Sequence, residues 1–483
     1  MRVLLLNPPY KLKISRDSRW PEHTKSGTLY FPFWLSYATG VLLENNHEVL
    51  LIDAIAKGWD FNETIKEIKK FEPSLLVMET TTPTIYSDIR FLDRLKRKLP
   101  KIKTVLVGTH VSALPEETLK LSKSIDFISR REYDYTILDL ANTLEKNGDI
   151  TKIDGISYKK GKKIFHNKDR EFIQNLDELP FVSKIYKKFL NIKDYRYSLA
   201  QHPMIQVWSS RGCPNRCTFC QIPQVFMNRI FRARSPENFV DELEWIKNNL
   251  PEIKEVFIED DTFTIDKKRV EKICELIKEK KLKLTWSTNV RADLPYNLMK
   301  KMKEAGCRML IVGYESGNQK ILNNIKKGIT LEMAEKFTKD AKKTGLKIFG
   351  CFMIGLPGDT KKTVEETFEF AKKLNPDMAF FQHVVPFPGT ELYNWVKENS
   401  YLVAKNWDDW LDKNGQLDCI ISYPWLTNEE IKKLKDKFSI KFYLSPKHLW
   451  EEFIHNLSLS EQVRLFKARM DYLNYLIRGK VKK

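Results

Sequence analysis

Short apolar runs alternate with amphipathic stretches through the first part of the chain. Residues 2–7, RVLLLN, are apolar between their ends and stop at Pro8-Pro9, which is typical of a strand buried on both faces of a sheet. Similar runs follow at 47–54, 74–80, 103–108 and 126–130, with helical periodicity between them. This alternation predicts an α/β fold with a doubly wound parallel sheet, which binds ligands beyond the carboxyl ends of its strands.

A second alternating series begins near residue 203. Its apolar runs lie at 204–210, 255–260, 283–290, 308–316, 347–355 and 378–386, and amphipathic helices separate them. Strands and helices in this order predict a partial (β/α)6 barrel, whose binding site assembles at the C-terminal ends of the strands.

The segment between the two series has a different pattern. DGISYKKGKKIFHN predicts a β-hairpin, and an irregular connector follows it. We therefore divide the chain into four regions: a doubly wound sheet (1–148), a hairpin and linker (149–202), a partial barrel (203–400) and a helical C-terminal region (401–483).

Charge adds information about partners. The 483 residues include 82 Lys and Arg against 63 Asp and Glu, a net charge of +19. Such an excess indicates an anionic partner, such as nucleic acid, a phosphorylated small molecule or a membrane surface, or else the Lys-rich surface of a thermophile protein. Because no apolar run reaches the ~18–20 residues of a spanning helix and the N-terminus lacks a signal peptide pattern, we expect a cytoplasmic protein with reduced thiols.

Three of the seven cysteines form one tight motif directly after the first barrel strand. RGCPNRCTFC places Cys213, Cys217 and Cys220 at C-x3-C-x2-C spacing. Three thiolates from one loop can bind three irons of a [4Fe–4S] cluster and leave the fourth iron open. A structural zinc ion would need a fourth ligand, and the local run offers none. The remaining cysteines lack ligand spacing and are interpreted as buried small residues: Cys274, Cys307, Cys351 and Cys419.

This motif, with the aromatic Phe219 before its last cysteine, resembles the signature of the radical S-adenosylmethionine (SAM) enzymes. The resemblance implies that the open iron binds SAM and that the reduced cluster cleaves SAM to a 5′-deoxyadenosyl radical, which abstracts hydrogen from a substrate. A low-potential electron donor is then an expected partner. The protein itself supplies positioning and excludes water.

Further segments resemble the family's motifs in the expected order along the barrel. FIEDDTFT (257–264), STNVRADL (287–294), GYESGNQKILNNIKKGIT (313–330) and FMIGLPGDT (352–360) follow successive strands. The resemblance implies that Glu259, Asp260 and Asp261 contact the SAM amino group and that Arg291 contacts the SAM carboxylate. It also implies that Glu315 and Ser316 contact the ribose or the amino-acid part. No residue is assigned to the catalytic step on the substrate.

The stretch 107–144 resembles the end of the cobalamin-binding domain that precedes many radical SAM barrels. The sequence departs from the family's pattern at Arg131-Glu132 and has no D-x-H-x-x-G motif, so no histidine is expected to bind cobalt from below. Contacts with the corrin or its nucleotide tail are implied for Thr81, Thr82, Gly108, Thr109 and His110. The alternative is a sheet that keeps this fold without binding cobalamin.

A closer likeness covers nearly the whole chain. RWPEHTKSGTLYFPFWLSYATG (19–40), CTFCQIPQ (217–224) and the stretch 231–264 resemble radical SAM proteins that form cyclitol ether head groups on hopanoids and calditol head groups on archaeal tetraether lipids. The resemblance implies radical chemistry on the polyol head group of a membrane lipid, and this is the leading hypothesis. Segment 464–483 carries seven Lys or Arg, one Asp and an apolar helical face, which predicts a peripheral contact with the inner membrane face.

Three alternatives stay open. A cobalamin-dependent radical SAM methyltransferase acting on an unactivated carbon depends on corrin binding. An RNA-modifying protein agrees with the charge, but the sequence has no RNA-binding module, so no nucleic-acid partner is expected. A non-catalytic Fe–S electron carrier would not need the SAM-like motifs. The substrate is therefore expected to be a lipid or another small molecule.

Overall fold

The computed structural model describes residues 1–24 and 26–445. In these residues the strands are β1 (Arg2–Asn7), β2 (Glu48–Asp53), β3 (Leu75–Glu79), β4 (Lys103–Val107), β5 (Phe127–Ser129), β6 (Ile156–Lys160), β7 (Lys163–His166), β8 (Met204–Val207), β9 (Ser210–Arg211), β10 (Arg232–Ala233), β11 (Glu255–Ile258), β12 (Trp286–Val290), β13 (Cys307–Glu315), β14 (Lys347–Ile354) and β15 (Met378–His383).

The α-helices alternate with these strands. They are α1 (Phe33–Glu44), α2 (Ala54–Lys57), α3 (Phe61–Phe71), α4 (Ile85–Lys98), α5 (Thr109–Ala113), α6 (Pro115–Leu121), α7 (Asp134–Glu145), α8 (Val182–Phe189), α9 (Pro236–Asn249), α10 (Lys267–Glu279), α11 (Tyr296–Glu304), α12 (Gln319–Asn324), α13 (Leu331–Thr344), α14 (Lys361–Leu374), α15 (Glu391–Glu398) and α16 (Asn428–Tyr443).

The N-terminal sheet has the strand order β2-β1-β3-β4-β5-β6-β7. Strands β1 to β5 are parallel, which confirms the predicted doubly wound sheet. The hairpin of β6 and β7 pairs antiparallel with β5, so the sheet extends to His166 and includes residues that we placed with the linker. The reason is that β5 has only three residues and would otherwise end the sheet as a short, unprotected edge.

The second sheet is the predicted partial barrel. Its six parallel strands follow the order β15-β14-β13-β12-β11-β8, so each strand lies beside its neighbour in the chain. Strands β8 and β15 do not pair, and the gap between them is the open side of the barrel. The segments that carry Leu29 and Arg196 form an isolated antiparallel bridge. The arm between β1 and α1 is thereby tied to the segment that leads into β8.

Buried ion pairs join the two sheets. Arg211 of β9 lies 2.8 Å from Asp134 and 3.4 Å from Glu132, which belong to the N-terminal sheet unit. Arg232 of β10 lies 2.8 Å from the same Glu132. The Arg211 guanidinium also lies over the ring of Trp34 in α1, at 5.0 Å. Because all four charged side chains are buried, each depends on its partners across the interface.

The C-terminal region contains the predicted helix as α16, which packs against β15. Residues 401–427 are not helical, apart from one 3-10 turn at Trp407–Trp410. The side chains of Trp407, Trp410, Leu417 and Ile420 pack onto the N-terminal sheet, whereas those of Ile421, Tyr423 and Leu426 belong to the core that includes the barrel. The predicted membrane-contact segment 464–483 lies outside the described residues. Among the described residues, no helix is both long and apolar enough to cross a bilayer.

Candidate functional site

A cavity of about 730 Å³ lies inside the barrel and reaches the C-terminal ends of its strands. This is the place that the fold class predicts. Side chains that follow successive strands form its polar wall: Cys213, Cys217, Cys220, Glu259, Asp261, Arg291 and Glu315. Side chains of the arm between β1 and α1, from 15–24 and 26–30, line the cavity as well. The structure therefore gathers most of the predicted SAM and cluster residues around one space.

The cysteine loop begins at a backbone position that favours glycine. Gly212 has a φ of 82°, and a Cβ there would lie 2.2 Å from the carbonyl oxygen of Ile230. The N–H of Gly212 donates to Oδ2 of Asp261 at 3.2 Å. Cys213 therefore enters the loop directly beside the acidic motif that follows β11.

The rest of the loop is held by Gln224. Its side-chain amide donates to the carbonyl oxygens of Cys217 at 3.3 Å, Thr218 at 3.1 Å and Cys220 at 2.8 Å. The N–H of Thr218 donates to the carbonyl oxygen of Ile325 at 3.1 Å. These bonds fix the loop through protein contacts alone, which is a form of preorganisation for a ligand-binding loop.

The three cysteines fit a cluster better than a single ion. Cys213 and Cys217 are buried free thiols, Cys220 is a half-buried one, and Phe219 lines the cavity beside them. Burial and the neighbouring Cys217 raise the pKa of Cys220, so binding of iron would have to displace the thiol protons. Within the described residues, no three His, Cys, Asp or Glu side chains are grouped so that they could hold a single ion. In a [4Fe–4S] cluster each thiolate binds a different iron, so the three sulfur atoms need not converge on one metal position.

The three consecutive acids after β11 have different roles. Glu259 and Asp261 line the cavity, whereas Asp260 does not. The Asp260 carboxylate accepts hydrogen bonds from the backbone N–H groups of Ser209 and Ser210 at 2.6 and 3.2 Å and from both hydroxyls at 2.5 Å. Asp260 therefore anchors the residues that lead into the cysteine loop and is not positioned as a SAM contact.

Glu259 keeps one oxygen available to a ligand. Its Oε1 accepts a hydrogen bond from Nη1 of Arg19 at 2.5 Å. Its Oε2 is buried and has no hydrogen-bond partner in the described part of the chain. Burial raises the pKa of Glu259 to about 7, although the Arg19 charge lowers it. Such an oxygen suits a charged donor such as an ammonium group.

Glu315 reaches the cavity through an irregularity in the sheet. The register between β13 and β14 shifts at this point, and Glu315 has a φ of 65°. Its Oε1 accepts a hydrogen bond from Nζ of Lys327 at 2.7 Å, and its buried Oε2 has no partner among the described residues. A Cβ on Gly313 would lie 2.3 Å from Oε1 and 2.9 Å from Nζ, so glycine leaves the room that this ion pair occupies.

Two other predicted contacts differ in position. Arg291 lines the cavity, and its Nη2 donates to the carbonyl oxygens of Lys327 at 2.6 Å and Gly328 at 3.3 Å. Ser316 is buried against α14, where its hydroxyl lies 3.1 Å from that of Thr367, and it does not line the cavity. Of the predicted SAM residues, Asp260 and Ser316 are thus the two that the structure does not bring to this space.

The polar end of the cavity fits a [4Fe–4S] cluster with SAM. Buried polar atoms are nearly always hydrogen-bonded, so the two unpartnered carboxylate oxygens of Glu259 and Glu315 indicate missing donors. SAM carries an ammonium group and two ribose hydroxyls that could donate to them. Both oxygens belong to side chains that share the cavity with the cysteines.

The cavity extends well beyond this polar end. Its lining includes Asp377 and Met378 at the start of β15 and Val384 and Val385 past its end. A strand of this length spans about 20 Å. Much of this part of the wall is apolar or aromatic, with contributions from Tyr197, Leu199, Ile311, Phe349, Met353 and Phe380. We call this part of the cavity the apolar channel.

The corresponding edge of the N-terminal sheet is filled by an arginine. Its strand order reverses between β1 and β3, which is where such sheets bind ligands. Arg16 is buried at this point, with Nη1 donating to Oδ1 of Asn7 at 2.7 Å and to the carbonyl oxygen of Pro8 at 2.9 Å. Its Nη2 lies 2.6 Å from Asp88, and its Nε donates to Thr84 at 3.2 Å.

The predicted corrin contacts lie at the same edge, and none of them lines the cavity: Thr81, Thr82, Gly108, Thr109 and His110. His110 is fully buried, its Nδ1 lies 3.2 Å from the Thr82 hydroxyl, and its ring meets that of Trp407 edge to face at 5.0 Å. Burial lowers the pKa of His110 to about 3. Trp407 in turn packs on Trp410, with 4.8 Å between ring centroids.

These residues, as they are arranged here, do not fit a corrin. The guanidinium of Arg16 occupies the crevice, and Trp407 and Trp410 cover the loops beside it. Binding of cobalamin at this edge therefore requires that these side chains move.

Some residues of the cavity were not predicted. Arg19 and Lys327 belong to segments that resemble the family, RWPEH and NNIKKGIT, but no spacing rule connects them with the acids they contact. Cys351 lines the cavity and is only half-buried, which corrects its interpretation as a buried small residue. The other three scattered cysteines are buried as predicted: Cys274, Cys307 and Cys419.

Comparisons with known proteins agree with this architecture. Residues 209–371 match the model of the radical SAM superfamily, and residues 23–141 match that of the B12 binding domain. An uncharacterized methyltransferase of Pyrococcus horikoshii is 34% identical over 467 residues, which cover 96% of this chain and 97% of that protein. Anaerobic magnesium-protoporphyrin IX monomethyl ester cyclase of Rubrivivax gelatinosus is 26% identical, over 92% of this chain and 84% of that protein.

A solved structure has the same fold. The apo form of OxsB, a cobalamin-dependent S-adenosylmethionine radical enzyme, matches with a TM-score of 0.72 and 19% identity, over 98% of this chain and 72% of that chain. The closer likeness to the cyclitol- and calditol-forming proteins stays a prediction. The sequence matches and the site together confirm the predicted family: the chain belongs to the radical SAM superfamily and carries a B12-binding domain ahead of its radical SAM domain.

Proposed function

We propose that this protein is a radical SAM methyltransferase that acts on an unactivated carbon of a substrate with an apolar body. The observation that carries the proposal is the continuity between the polar cofactor end of the cavity and the apolar channel, which leaves room for a second ligand beside SAM. Methyl transfer is supported by the methyltransferase relative, which is similar to this chain over nearly its whole length.

A reduced [4Fe–4S] cluster with SAM supplies a 5′-deoxyadenosyl radical when both are bound. The chain's own residues hold the reactants around that chemistry. The unpartnered Oε2 of Glu259 would accept a hydrogen bond from the SAM ammonium. The unpartnered Oε2 of Glu315 would accept one from a ribose hydroxyl, while Lys327 holds the other oxygen of Glu315. Burial alone would lower the pKa of Lys327, but the negative charge of Glu315 raises it, so the Lys327 ammonium stays protonated at neutral pH.

The apolar channel positions the substrate. Burial of apolar surface contributes about 25 cal/mol per Å², so a chain or ring system in this channel would supply most of the binding energy. Its aromatic and aliphatic walls also exclude water from the reacting carbon. A corrin, which methyl transfer to such a carbon requires, would have to enter the N-terminal edge after Arg16 and the two tryptophans move.

A second candidate is hydrogen abstraction from the polyol head group of a membrane lipid, followed by formation of a cyclitol-type ring. The length and apolar character of the channel favour this candidate, because a lipid chain could occupy the channel while the head group reaches the cysteine loop. This reaction needs no methyl transfer.

The two candidates differ in the fate of the SAM methyl group. Full-length protein, reconstituted anaerobically with iron and sulfide and supplied with hydroxocobalamin and a reductant, is incubated with SAM that carries a trideuterated methyl group. Chloroform–methanol and aqueous extracts of cells that lack the gene serve as substrate sources. A methyltransferase transfers the label to an extract component and forms S-adenosylhomocysteine alongside 5′-deoxyadenosine.

The control is the same incubation with the Cys217→Ala variant. If an extract component is consumed and 5′-deoxyadenosine accumulates without label in the product, methyl transfer is wrong and the ring-forming reaction is favoured. Product formation only from the aqueous extract would contradict the apolar substrate class.

A further inference from the structure

Arg19 reaches the cofactor end of the cavity from the arm between β1 and α1. It lines the cavity with Cys220 and Glu259, and its guanidinium lies 5.8 Å over the ring of Trp208. The side chain is 26% exposed, whereas the carboxylates of Glu259 and Asp261 beside it are 5% and 4% exposed. The guanidinium is therefore the more accessible part of this charged cluster.

The hydrogen bonds of Arg19 leave donors for a ligand. Nη1 donates to Oε1 of Glu259 at 2.5 Å, and Nη2 lies 3.1 Å from Oδ1 of Asp261. Nη2 also approaches the carbonyl oxygens of Asp260 at 3.1 Å and of Glu259 at 3.3 Å. A guanidinium has five N–H groups. The N–H on Nε and one on Nη1 have no hydrogen-bond partner within the described residues.

The methionine end of SAM needs a site of this kind. It carries an ammonium and a carboxylate on the same carbon, so its protein partners must place an acid beside a base. Glu259 offers the unpartnered Oε2, and Arg19 offers unused donors on the guanidinium that holds Oε1 of the same carboxylate. Charge-assisted bonds to a guanidinium fork are among the stronger hydrogen bonds in proteins.

We propose that Arg19 is a SAM-binding residue that recognises the methionine carboxylate and holds Glu259 in place for the ammonium. The N-terminal arm then supplies a side chain to a site that otherwise consists of barrel residues. This inference depends on SAM binding at the cysteine loop, and it does not depend on the proposed methyl transfer.

Arg291, the residue that the sequence suggests for the carboxylate, has a different environment. Its Nη2 donates to the carbonyl oxygens of Lys327 and Gly328. These bonds fix the turn that carries the partner of Glu315, which places Arg291 near the ribose contact predicted above. We therefore expect Arg291 to support the turn, and Arg19 to bind the carboxylate.

A pair of ligands separates the two arginines. 5′-Methylthioadenosine has the adenosine part of SAM but no amino or carboxylate group. Dissociation constants of SAM and 5′-methylthioadenosine are measured by titration calorimetry under anaerobic conditions for the reconstituted full chain and for Arg19→Ala, Arg19→Lys and Arg291→Ala. Arg97→Ala, which removes an exposed charge from α4, is the matched control. Iron content and absorbance of each protein report whether the cluster is intact.

We expect Arg19→Ala to weaken SAM binding at least about tenfold and to leave 5′-methylthioadenosine binding within about twofold of wild type. Arg19→Lys should restore part of the SAM affinity. Equal losses for both ligands, or a loss specific to SAM in Arg291→Ala and absent in Arg19→Ala, would overturn the assignment. Failure of the wild-type protein to bind SAM would contradict the proposed function as well, whereas normal wild-type binding with an unaffected Arg19→Ala contradicts the Arg19 assignment alone.

Discussion

The two parallel sheets of this chain differ at their carboxyl edges: the barrel edge encloses a cavity, whereas side chains fill the edge of the N-terminal sheet. At the carboxyl edge of the barrel, side chains surround a cavity of about 730 Å³, and two carboxylate oxygens have no partner. At the carboxyl edge of the N-terminal sheet, Arg16 fills the crevice and has hydrogen-bond partners on all three of its nitrogens. Topology therefore predicts where a ligand can bind, but the side chains that enter from elsewhere decide whether space remains.

The arm between β1 and α1 supplies an arginine to each of the two edges. Arg16 enters the N-terminal crevice, and Arg19, three residues later, reaches the acids at the barrel edge. Residues three positions apart can be separated by at most about 10 Å, so the arm ties the two edges together. The difference between the edges is therefore produced by one connection and not by the sheets themselves.

The largest expected effect is loss of the barrel site. Replacing Cys213, Cys217 and Cys220 by Ala should abolish the cluster and with it the formation of 5′-deoxyadenosine from SAM, because the described residues contain no group of side chains placed to bind the metal instead. Absorbance, iron content and chromatography of the products check this. Cys274→Ala, in a buried cysteine outside the loop, should retain both properties. Cleavage of SAM by the triple variant would contradict the site.

Asp260 and Asp261 test the division of roles within the acidic motif. Asp260→Asn should lower the free energy of unfolding by about 3 kcal/mol, because an amide cannot accept the four hydrogen bonds from Ser209 and Ser210. Asp261→Asn should lower the free energy of unfolding less than Asp260→Asn, because it replaces the acceptor of only two hydrogen bonds, and it should weaken SAM binding. Urea denaturation and SAM titration measure the two properties. If Asp260→Asn instead loses SAM affinity at full stability, the two roles are reversed.

Acid should reduce the contribution of His110, at the N-terminal edge, to stability and increase that of Glu259, at the barrel edge. The pKa of His110 in the folded protein is lowered to about 3 by burial, so its contribution to stability is complete above its unfolded pKa and is lost as the pH falls. At pH 5 this costs about 2 kcal/mol relative to pH 8. The pKa of Glu259 is raised, so its contribution has the opposite sign and is lost as the pH rises through about 7.

Replacing either residue shows how much it contributes to the pH dependence of the free energy of unfolding. His110→Gln should reduce the acid-induced loss of stability by about 2 kcal/mol, measured by denaturant unfolding at pH 8 and pH 5. Between pH 5 and pH 8, Glu259→Gln should gain more stability than wild type, because wild type loses the contribution of Glu259 as the pH rises toward about 7. If the pH dependence of the free energy of unfolding is the same in His110→Gln and wild type, the histidine is not buried at the edge of the N-terminal sheet.

The smallest expected effect concerns access of cobalamin to the carboxyl edge of the N-terminal sheet. Replacing Trp407 and Trp410 by Ala should strengthen binding of hydroxocobalamin about tenfold, because wild-type protein must displace these side chains before a corrin can enter, and a tenfold change corresponds to about 1.4 kcal/mol. Absorbance titration gives the affinities and reports whether the cobalt is base-off. Trp425→Ala, at a tryptophan distant from this edge, is the control. Equal affinities in wild type and the double variant would show that the edge is open in solution.

Much of the fold follows from local pattern. The strands of both sheets and the cysteine loop were predictable because buried parallel strands are continuous apolar runs and because metal ligands have fixed spacing. Asp260 and Ser316 were placed among the SAM contacts because adjacent residues of one motif cannot be assigned to cavity or core from the sequence alone. Arg16 and Arg19 were not predicted as edge residues, since their partners lie at least 68 residues away along the chain, apart from Asn7 and Pro8.

The ion pairs between the sheets have a consequence for how the molecule melts. Separating the N-terminal sheet from the barrel would break the buried ion pairs of Glu132 and Asp134 with Arg211 and Arg232. It would also expose the aromatic contacts that Trp34 makes with Trp208 and Phe226. Neither half can therefore come apart without destabilising the other. We therefore expect the two domains to unfold as one cooperative unit, so calorimetry of the full-length protein should record one heat-absorption peak for both sheets.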